Sequence, residues 1–314
     1  MPLPLTMPIR SFICLVVLAS LLRWPATAIG NDAPGVEGKN DVYRLLVEPP
    51  QGCPLRLSPA RFTTDSSAEA WRLLLQDEAE PRYRVEQLLR PTVVAPHILN
   101  MQRERLDEIA SIRQHLRVVF GLRGQLDRLA DEAFLDALLA AEGDESGDEA
   151  VGRSRPLTDD ELRLAGIEPP GAGDKAAPGG EYYRLIHGEL FSRVRFSGVV
   201  RGQWTRTQDA ILLAVRFDDA FGDEERLRPT WQRLDRNAAG QLTVSQRGDF
   251  LGAGAYVRIS RWPEQDDILL CEAEIVMIEP LAWFAGRNLL GSKFPAAIQS
   301  QVRAIRRAAL QRMR

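Results

Sequence analysis

Residues 194–204 alternate between apolar and polar positions, and this period constrains the fold more than any other feature of the sequence. The even-numbered positions are apolar or glycine and end at Trp204, while Arg193, Arg195 and Arg201 occupy odd-numbered positions. Successive side chains of a strand point to opposite faces, so the pattern predicts a half-buried antiparallel strand. Five further runs of this kind occur at residues 182–190, 211–217, 241–246, 255–262 and 268–278. Together they predict a meander of about six strands, either an open curved sheet or a partial barrel.

The N-terminal half of the chain carries a different pattern. Apolar residues recur every three or four positions over residues 99–141, which predicts a long helical stretch divided near Gly121 and Gly124. Residues 66–78 have the cap and the apolar face of a helix, and residues 42–47 have the composition of a short strand. We therefore expect a mostly helical region with one small strand element over residues 29–141.

A change of composition separates these two patterns. Five of the eight residues from 142 to 149 are acidic, and residues 169–180 are mostly Pro, Gly and Ala. Such stretches bury too little apolar surface to fold, so we expect a linker over residues 142–180, interrupted by a short helix that Thr158 caps. The expected fold class is α+β, with an antiparallel β domain over residues 181–314 that a basic C-terminal helix closes.

The first 28 residues have the layout of a secretory signal peptide. Arg10 precedes an apolar run of twelve residues, and Ala26 and Ala28 supply the small residues for cleavage after Ala28. The run is shorter than the roughly 20 residues of a membrane-spanning helix, although an uncleaved anchor stays open. The pattern predicts a periplasmic or otherwise exported protein with no transmembrane span in the mature chain.

Two cysteines, Cys53 and Cys271, remain after that cleavage. An oxidising compartment permits a disulfide between them, and two buried free thiols are the alternative. Their spacing does not match a structural metal site, and we expect neither a metal nor a cofactor.

The last helix combines an apolar stripe with basic residues. Residues 286–314 contain seven Arg or Lys and no acid, among them Arg303, Arg306 and Arg307. The stripe comprises Phe294, Ile298, Val302, Ile305 and Ala309. It is thin for a helix that lies on a membrane, so we expect it to pack on the sheet with its arginines outward. A direct contact with lipid, cell wall or a partner protein is the alternative.

The sequence offers few groups for catalysis. It has three histidines and no serine in a G-x-S-x-G elbow. His187 and Glu189 would share a strand face, which is compatible with acid–base work, but a solvent-facing strand end is the preferred explanation. We therefore do not predict an enzyme.

Arg193, Arg195 and Arg201 form the most chemically specific surface in the sequence. Arginine binds carboxylates and phosphates through two hydrogen bonds, and Trp204 could stack on a sugar, although its parity places it on the opposite face. A structural explanation is that Glu272 and Glu274 alternate in the same way and neutralise these arginines on a neighbouring strand.

These observations favour an exported, non-enzymatic cell-envelope protein that binds cell wall or assists a membrane-associated assembly through its basic surfaces. The expected partner is a cell-wall polymer, an anionic membrane surface or an envelope protein, and not nucleic acid, which exported proteins rarely meet. Two alternatives are an envelope-polymer hydrolase that uses His187 with a carboxylate, and a periplasmic adaptor that docks a protein through helices at residues 99–141.

Overall fold

The fold is α+β, with one large antiparallel sheet and a long C-terminal helix. The computed structural model describes residues 35–79, 82–129, 154–169 and 180–312. The predicted signal peptide, and the acidic and Pro/Gly-rich parts of the predicted linker, lie outside the described residues.

The sheet contains ten strands, and its order is β1-β2-β10-β9-β6-β5-β4-β3, with β7 pairing to β5 and β8 pairing to β7. The strands are β1 Ile98–Leu106, β2 Ser111–Arg123, β3 Ser154–Pro156, β4 Glu181–Leu190, β5 Val194–Arg206, β6 Ala210–Phe217, β7 Thr230–Arg236, β8 Leu242–Asp249, β9 Ala253–Trp262 and β10 Gln265–Pro280. The helices are α1 Asp41–Val47, α2 Ala68–Ala79, α3 Val85–Leu88, α4 Leu126–Leu129, α5 Asp159–Leu164 and α6 Leu289–Arg312.

The six strands predicted from the alternating runs are all present, as β4, β5, β6, β8, β9 and β10. The short helix α5 is also present with its predicted cap. The Thr158 hydroxyl accepts a hydrogen bond from the Glu161 backbone N–H, and the Glu161 carboxylate accepts one from the Thr158 N–H in return. Strand β7 is not among the predicted strands, because its sequence shows no clear alternation of apolar and polar residues.

The prediction of helices over residues 99–141 is wrong for residues 99–123, whereas Leu126–Leu129 are helical and residues 130–141 lie outside the described residues. Residues 98–123 form the hairpin β1–β2, and β2 lies between β1 and β10. The even positions of β2 from Ile112 to Leu122 are apolar except Gln114, and Val119 on the other face adds the three-residue spacing that imitates a helical period. The adaptor alternative loses the helices predicted over residues 99–123.

The strand predicted at residues 42–47 is also wrong, because these residues form α1. The buried Asn40 caps this helix, and its side-chain oxygen accepts a hydrogen bond from the Tyr43 N–H at 2.9 Å. Its amide nitrogen donates to the Gln203 carbonyl at 3.1 Å, which fixes α1 against β5. Tertiary contacts of this kind override a local preference for strand.

The sheet is covered on both faces by different parts of the chain. Helix α6 covers one face, which we call the α6 face. Residues 35–89, with α1, α2 and α3, cover the other, which we call the N-terminal face. On that second face Tyr43 packs edge-to-face on Tyr256 at 5.1 Å between ring centroids, and Trp71 packs on Trp262 at 5.6 Å.

Buried charges attach residues 35–89 to the N-terminal face. Arg117 of β2 pairs with Glu272 at 2.7 Å and with Glu78 of α2 at 2.5 Å. The Glu272 carboxylate also accepts from the Arg61 N–H at 3.0 Å, and Glu274 accepts from the Ser58 N–H at 2.9 Å. The predicted pairing of these two glutamates with the β5 arginines is wrong, because the neighbours of β10 are β2 and β9.

Candidate ligand-binding site

The α6 face of the sheet is a continuous apolar surface, and the strand register defines it. A row of directly opposite residues crosses five strands from β2 to β5, and we call it the central row. Its members are Val118, Ala273, Val257, Leu213 and Trp204. A parallel row one step along consists of Phe120, Cys271, Ile259 and Ile211. Opposite residues on neighbouring antiparallel strands point to the same face, so both rows face α6 or the space beside it.

The described residues cover this surface unevenly. Val118 and Phe120 on β2 and Leu213 on β6 are buried, whereas Ala273, Val257 and Trp204 are only partly buried. Apolar side chains therefore continue beyond α6 along the central row.

Helix α6 is held to the sheet near both of its ends. Near the start, Leu290 and Phe294 belong to the same buried cluster as Trp283 and Phe284. Near the end, Arg306 is only 3% exposed. The helix is therefore attached to the rest of the fold near both ends, and its middle part lies between these two attachments.

Arg306 supplies the second attachment through hydrogen bonds to backbone carbonyls. Its Nε donates to Gly121 at 3.0 Å, one terminal nitrogen donates to Pro96 at 2.8 Å, and the other donates to Ala95. The guanidinium carbon lies 5.5 Å from the Phe120 ring centroid. Burial lowers the pKa of Arg306 to about 10. This residue faces inward, unlike the outward arginine that the sequence predicts.

A small cavity of about 50 Å³ lies between the middle of α6 and strands β2, β9 and β10. It is lined by Val118, Phe120, Val257, Cys271, Ala273, Ile275, Ile298, Gln301, Val302 and Ile305. Nine of these ten side chains are hydrocarbon or thiol, and Gln301 carries the one amide. Sequence reasoning missed Gln301, although its position three residues after Ile298 and four before Ile305 places a polar side chain within the apolar stripe.

The structure separates the two predicted basic surfaces. Arg195 and Arg201 lie on the N-terminal face of β5, opposite to Trp204, as parity predicts. They pair with carboxylates of β4, Arg195 with Glu189 at 2.9 Å and Arg201 with Glu181 at 2.5 Å. Acidic residues of a neighbouring strand therefore do neutralise these two arginines, but that strand is β4 and not β10.

The remaining predicted contact residues are exposed. Arg193 lies in the turn before β5, and Arg303 and Arg307 lie four residues apart on the outer surface of α6. Neither Arg303 nor Arg307 forms an ion pair with a described residue. These two side chains are the exposed basic part of α6.

His187 lies at the rim of a shallow polar depression of about 190 Å³. It is directly opposite Ser197, which in turn is opposite Thr230. Within the described part of the chain, His187 makes no hydrogen bond to a carboxylate, and the nearby Glu189 is bound by Arg195. Burial, with a smaller contribution from the charge of Arg155, lowers the pKa of His187. The arrangement is polar but contains no assembled acid–base pair.

No disulfide joins Cys53 to Cys271. Cys53 packs on the N-terminal face and Cys271 belongs to the core of the α6 face, so the sheet lies between them. The disulfide that the sequence permits is therefore not present in this structure. Across residues 35–79, 82–129, 154–169 and 180–312, no group of His, Cys, Asp or Glu side chains is placed to hold a metal ion. Over the same residues, the helices are all too short or too polar to span a membrane.

Comparisons with known proteins give only distant structural likenesses. No protein-family model and no curated protein sequence matches this chain. The human StarD13 (DLC2) lipid transfer and protein localization domain is similar over 69% of this chain and 85% of its own, at 10% identity and a TM-score of 0.36. Human STARD10 is similar over 68% and 73%, at 8% identity and a TM-score of 0.33. CalU16 from Micromonospora echinospora is similar over 69% and 97%, at 12% identity and a TM-score of 0.20. At such low TM-scores these likenesses carry no inference about this chain.

Proposed function

We propose that this chain is an exported, non-catalytic binding protein that holds an apolar ligand between α6 and the sheet. The observation that carries the proposal is the cavity between the two attachments of α6, whose lining is apolar apart from Gln301. Small-molecule sites are typically concave and mostly apolar, with few polar groups. Export rests on the signal-like pattern of the first 28 residues.

The partly open central row explains how a larger ligand could fit. The cavity volume of about 50 Å³ holds only a small apolar group, whereas sites for drug-sized ligands have roughly 300–1,000 Å³. Val257 and Trp204 extend the apolar surface sideways from the cavity. A ligand would place one end under α6 and lie along this row.

Binding of N-phenyl-1-naphthylamine, a neutral dye that fluoresces in apolar surroundings, tests the proposal. We expect the purified chain to increase its fluorescence in a saturable manner. Ala273→Phe should abolish the increase because the added ring fills the cavity from the centre of the row. Ala296→Phe, on the exposed side of α6, is the matched control and should leave binding unchanged. Absence of saturable binding to the unmodified chain, or full binding by Ala273→Phe, contradicts the proposal.

A second candidate function concerns the outer surface of α6. We propose that Arg303 and Arg307 contact an anionic partner of the cell envelope, either a cell-wall polymer, an anionic membrane or an acidic protein surface. Their exposure, their separation of one helical turn and their lack of ion pairs with described residues support this. Arginine pairs readily with carboxylate and phosphate groups.

Co-sedimentation with isolated cell-wall sacculi and with phosphatidylglycerol vesicles tests this second candidate. The double variant Arg303→Glu/Arg307→Glu should lose pelleting, and the pelleting of the unmodified chain should weaken as salt rises. Arg56→Glu/Arg82→Glu changes the charge equally at exposed positions elsewhere and should pellet normally. Equal pelleting of both double variants refutes a role for the α6 arginines.

A further inference from the structure

The polar depression beside His187 lies on the N-terminal face of the sheet, whereas the α6 cavity lies on the other face. We infer that this depression binds an uncharged ligand rich in hydroxyl groups, namely one unit of a saccharide. Its contacts would be His187, Ser197, Thr230 and Gln232, which are among the residues that line a volume of about 190 Å³. The inference concerns a separate site and does not depend on the apolar-ligand function proposed for the α6 cavity.

The strand register brings these four side chains together. His187 of β4 lies directly opposite Ser197 of β5, and Ser197 lies directly opposite Thr230 of β7. In the next row Gln232 lies opposite Arg195. Opposite residues of antiparallel strands point to the same face, and their Cα atoms are about 4.5–5.5 Å apart. The short side chains of Ser197 and Thr230 therefore lie between longer neighbours, which produces the depression.

The depression begins where the cover of the sheet by α5 ends. In the row before His187, Leu185 lies opposite Val199, and both are buried in one apolar cluster with Leu162 of α5. In the following row His187 is exposed and Ser197 is half-buried. The same face of the sheet thus changes from apolar and covered to polar and open within one row.

The four side chains have hydrogen-bonding capacity that the described part of the chain does not use. None of them forms a hydrogen bond or an ion pair with another described residue. Hydroxyl, amide and neutral imidazole groups each offer both a donor and an acceptor. A sugar hydroxyl has the same dual character, so one ring can replace the water around several of these groups with an equivalent set of hydrogen bonds.

The balance of charge in the depression favours an uncharged ligand. Of the seven described residues that line it, only Arg195 is ionised, and Glu189 pairs with it at 2.9 Å. Burial, with the nearby charge of Arg155, lowers the pKa of His187, so its imidazole is neutral at near-neutral pH. A phosphate or carboxylate would have to compete with Glu189 for Arg195. The volume is below the roughly 300–1,000 Å³ of drug-sized sites, which limits the bound part of the ligand to about one sugar ring.

Isothermal titration calorimetry with two neutral trisaccharides, maltotriose and N,N′,N″-triacetylchitotriose, tests the inference. We expect the purified chain to bind at least one of them in a saturable manner and to show no saturable binding of inorganic phosphate. Thr230→Val/Gln232→Met removes two hydrogen-bonding groups with little change in side-chain size, and binding should weaken on the order of tenfold or more. Thr243→Val/Gln246→Met is the matched control on the other face of the β7–β8 hairpin, and it should bind like the unmodified chain.

A second measurement needs no substitution at the site. The sequence contains three histidines, so their imidazole resonances can be followed separately by NMR. The bound trisaccharide should shift the resonances of His187. It should leave those of His97, which precedes β1, and of His115, which lies on β2, unchanged.

The outcomes decide the inference and leave the α6 site to its own test. Absence of binding of both trisaccharides, or tighter binding of phosphate, overturns the inference. Equal affinities of the two folded double variants, or saccharide binding without a shift at His187, overturns it as well. None of these results affects the proposed α6 function, which the binding of N-phenyl-1-naphthylamine tests separately.

Discussion

Replacing Arg117 by methionine should destabilise the protein more than any change at an exposed ion pair. The side chain of Arg117 is 9% exposed, and those of its partners Glu272 and Glu274 are each 1% exposed. Methionine preserves much of the volume but removes the positive charge. Both carboxylates then stay buried on the N-terminal face without their closest cation, and Glu78 loses its contact with β2.

The structure sets the size of this effect. Breaking a buried pair by removing one partner costs about 3–5 kcal/mol, because the other charge stays buried and uncompensated. Domains are stable by about 5–15 kcal/mol, so this change removes a large fraction of the total. Arg105→Met is the matched control. Arg105 pairs with Asp107 at 2.5 Å, but their side chains are 68% and 78% exposed, and such pairs contribute about 0–1 kcal/mol.

Urea unfolding at several pH values measures both changes. Burial already raises the pKa of Glu272 above 4.5, and Arg117 opposes that rise. Without Arg117 the pKa of Glu272 rises further in the folded state, so protonation relieves the defect. The folded variant therefore gains stability relative to the unmodified chain as pH falls from 8 to 5. Equal costs for Arg117→Met and Arg105→Met, or a cost that does not shrink at low pH, refute this reasoning.

Three further predictions concern the attachment of α6 and its neighbours. Burial, with the charges of Arg306 and Arg303, lowers the pKa of His97 below 6.5. Neutral His97 therefore contributes fully to the stability of the fold above pH 6.5, and this contribution is lost as pH falls. In His97→Gln the midpoint of urea unfolding should depend less on pH between 7.5 and 5. Gly121→Ala should cost about 1–3 kcal/mol in urea unfolding, because its new Cβ would lie 2.7 Å from the Leu88 carbonyl oxygen. Arg306→Met should cost about 1–3 kcal/mol by leaving buried carbonyls unpaired. Hydrogen exchange should then quicken in the second half of α6, and unchanged exchange contradicts the assigned contacts.

The sequence predicts the strands of the second half well because their two faces differ in polarity. On β5 the even positions Phe196, Val200 and Trp204 face α6, while Arg195 and Arg201 face the other side. A strict period of two survives wherever one face of a strand carries polar side chains.

Strand β2 also alternates, with apolar residues at its even positions from Leu116 to Leu122 and Arg117 among its odd ones, but Val119 adds an apolar residue to the other face. Leu116, Val119 and Leu122 are three residues apart, as on a helix face. In the structure Leu116 and Leu122 point to the α6 face, and Val119 points to the N-terminal face. Both periods are present in this sequence, and the pairing of β2 with β10, which lies more than a hundred residues away, decides in favour of the strand.

The candidate site is less accessible from sequence than the fold. Their positive charge makes Arg195 and Arg201 candidates for binding, but carboxylates of β4 neutralise both. This pairing depends on the register of the β4–β5 hairpin. The cavity depends on Ala273 and Val257 becoming neighbours beneath α6. Both are ordinary apolar residues of a strand, so the sequence around them gives no local signal of a site.

Photolabelling with an aliphatic diazirine, followed by peptide mapping, tests the central claim most directly. Insertion should concentrate on Ile298, Val302 and Ile305 of α6 and on Val257 and Ala273 of the sheet, and excess 1-decanol should suppress it. Labelling confined to exposed apolar side chains outside the α6 cavity, or labelling that 1-decanol leaves unchanged, would contradict a ligand site between α6 and the sheet.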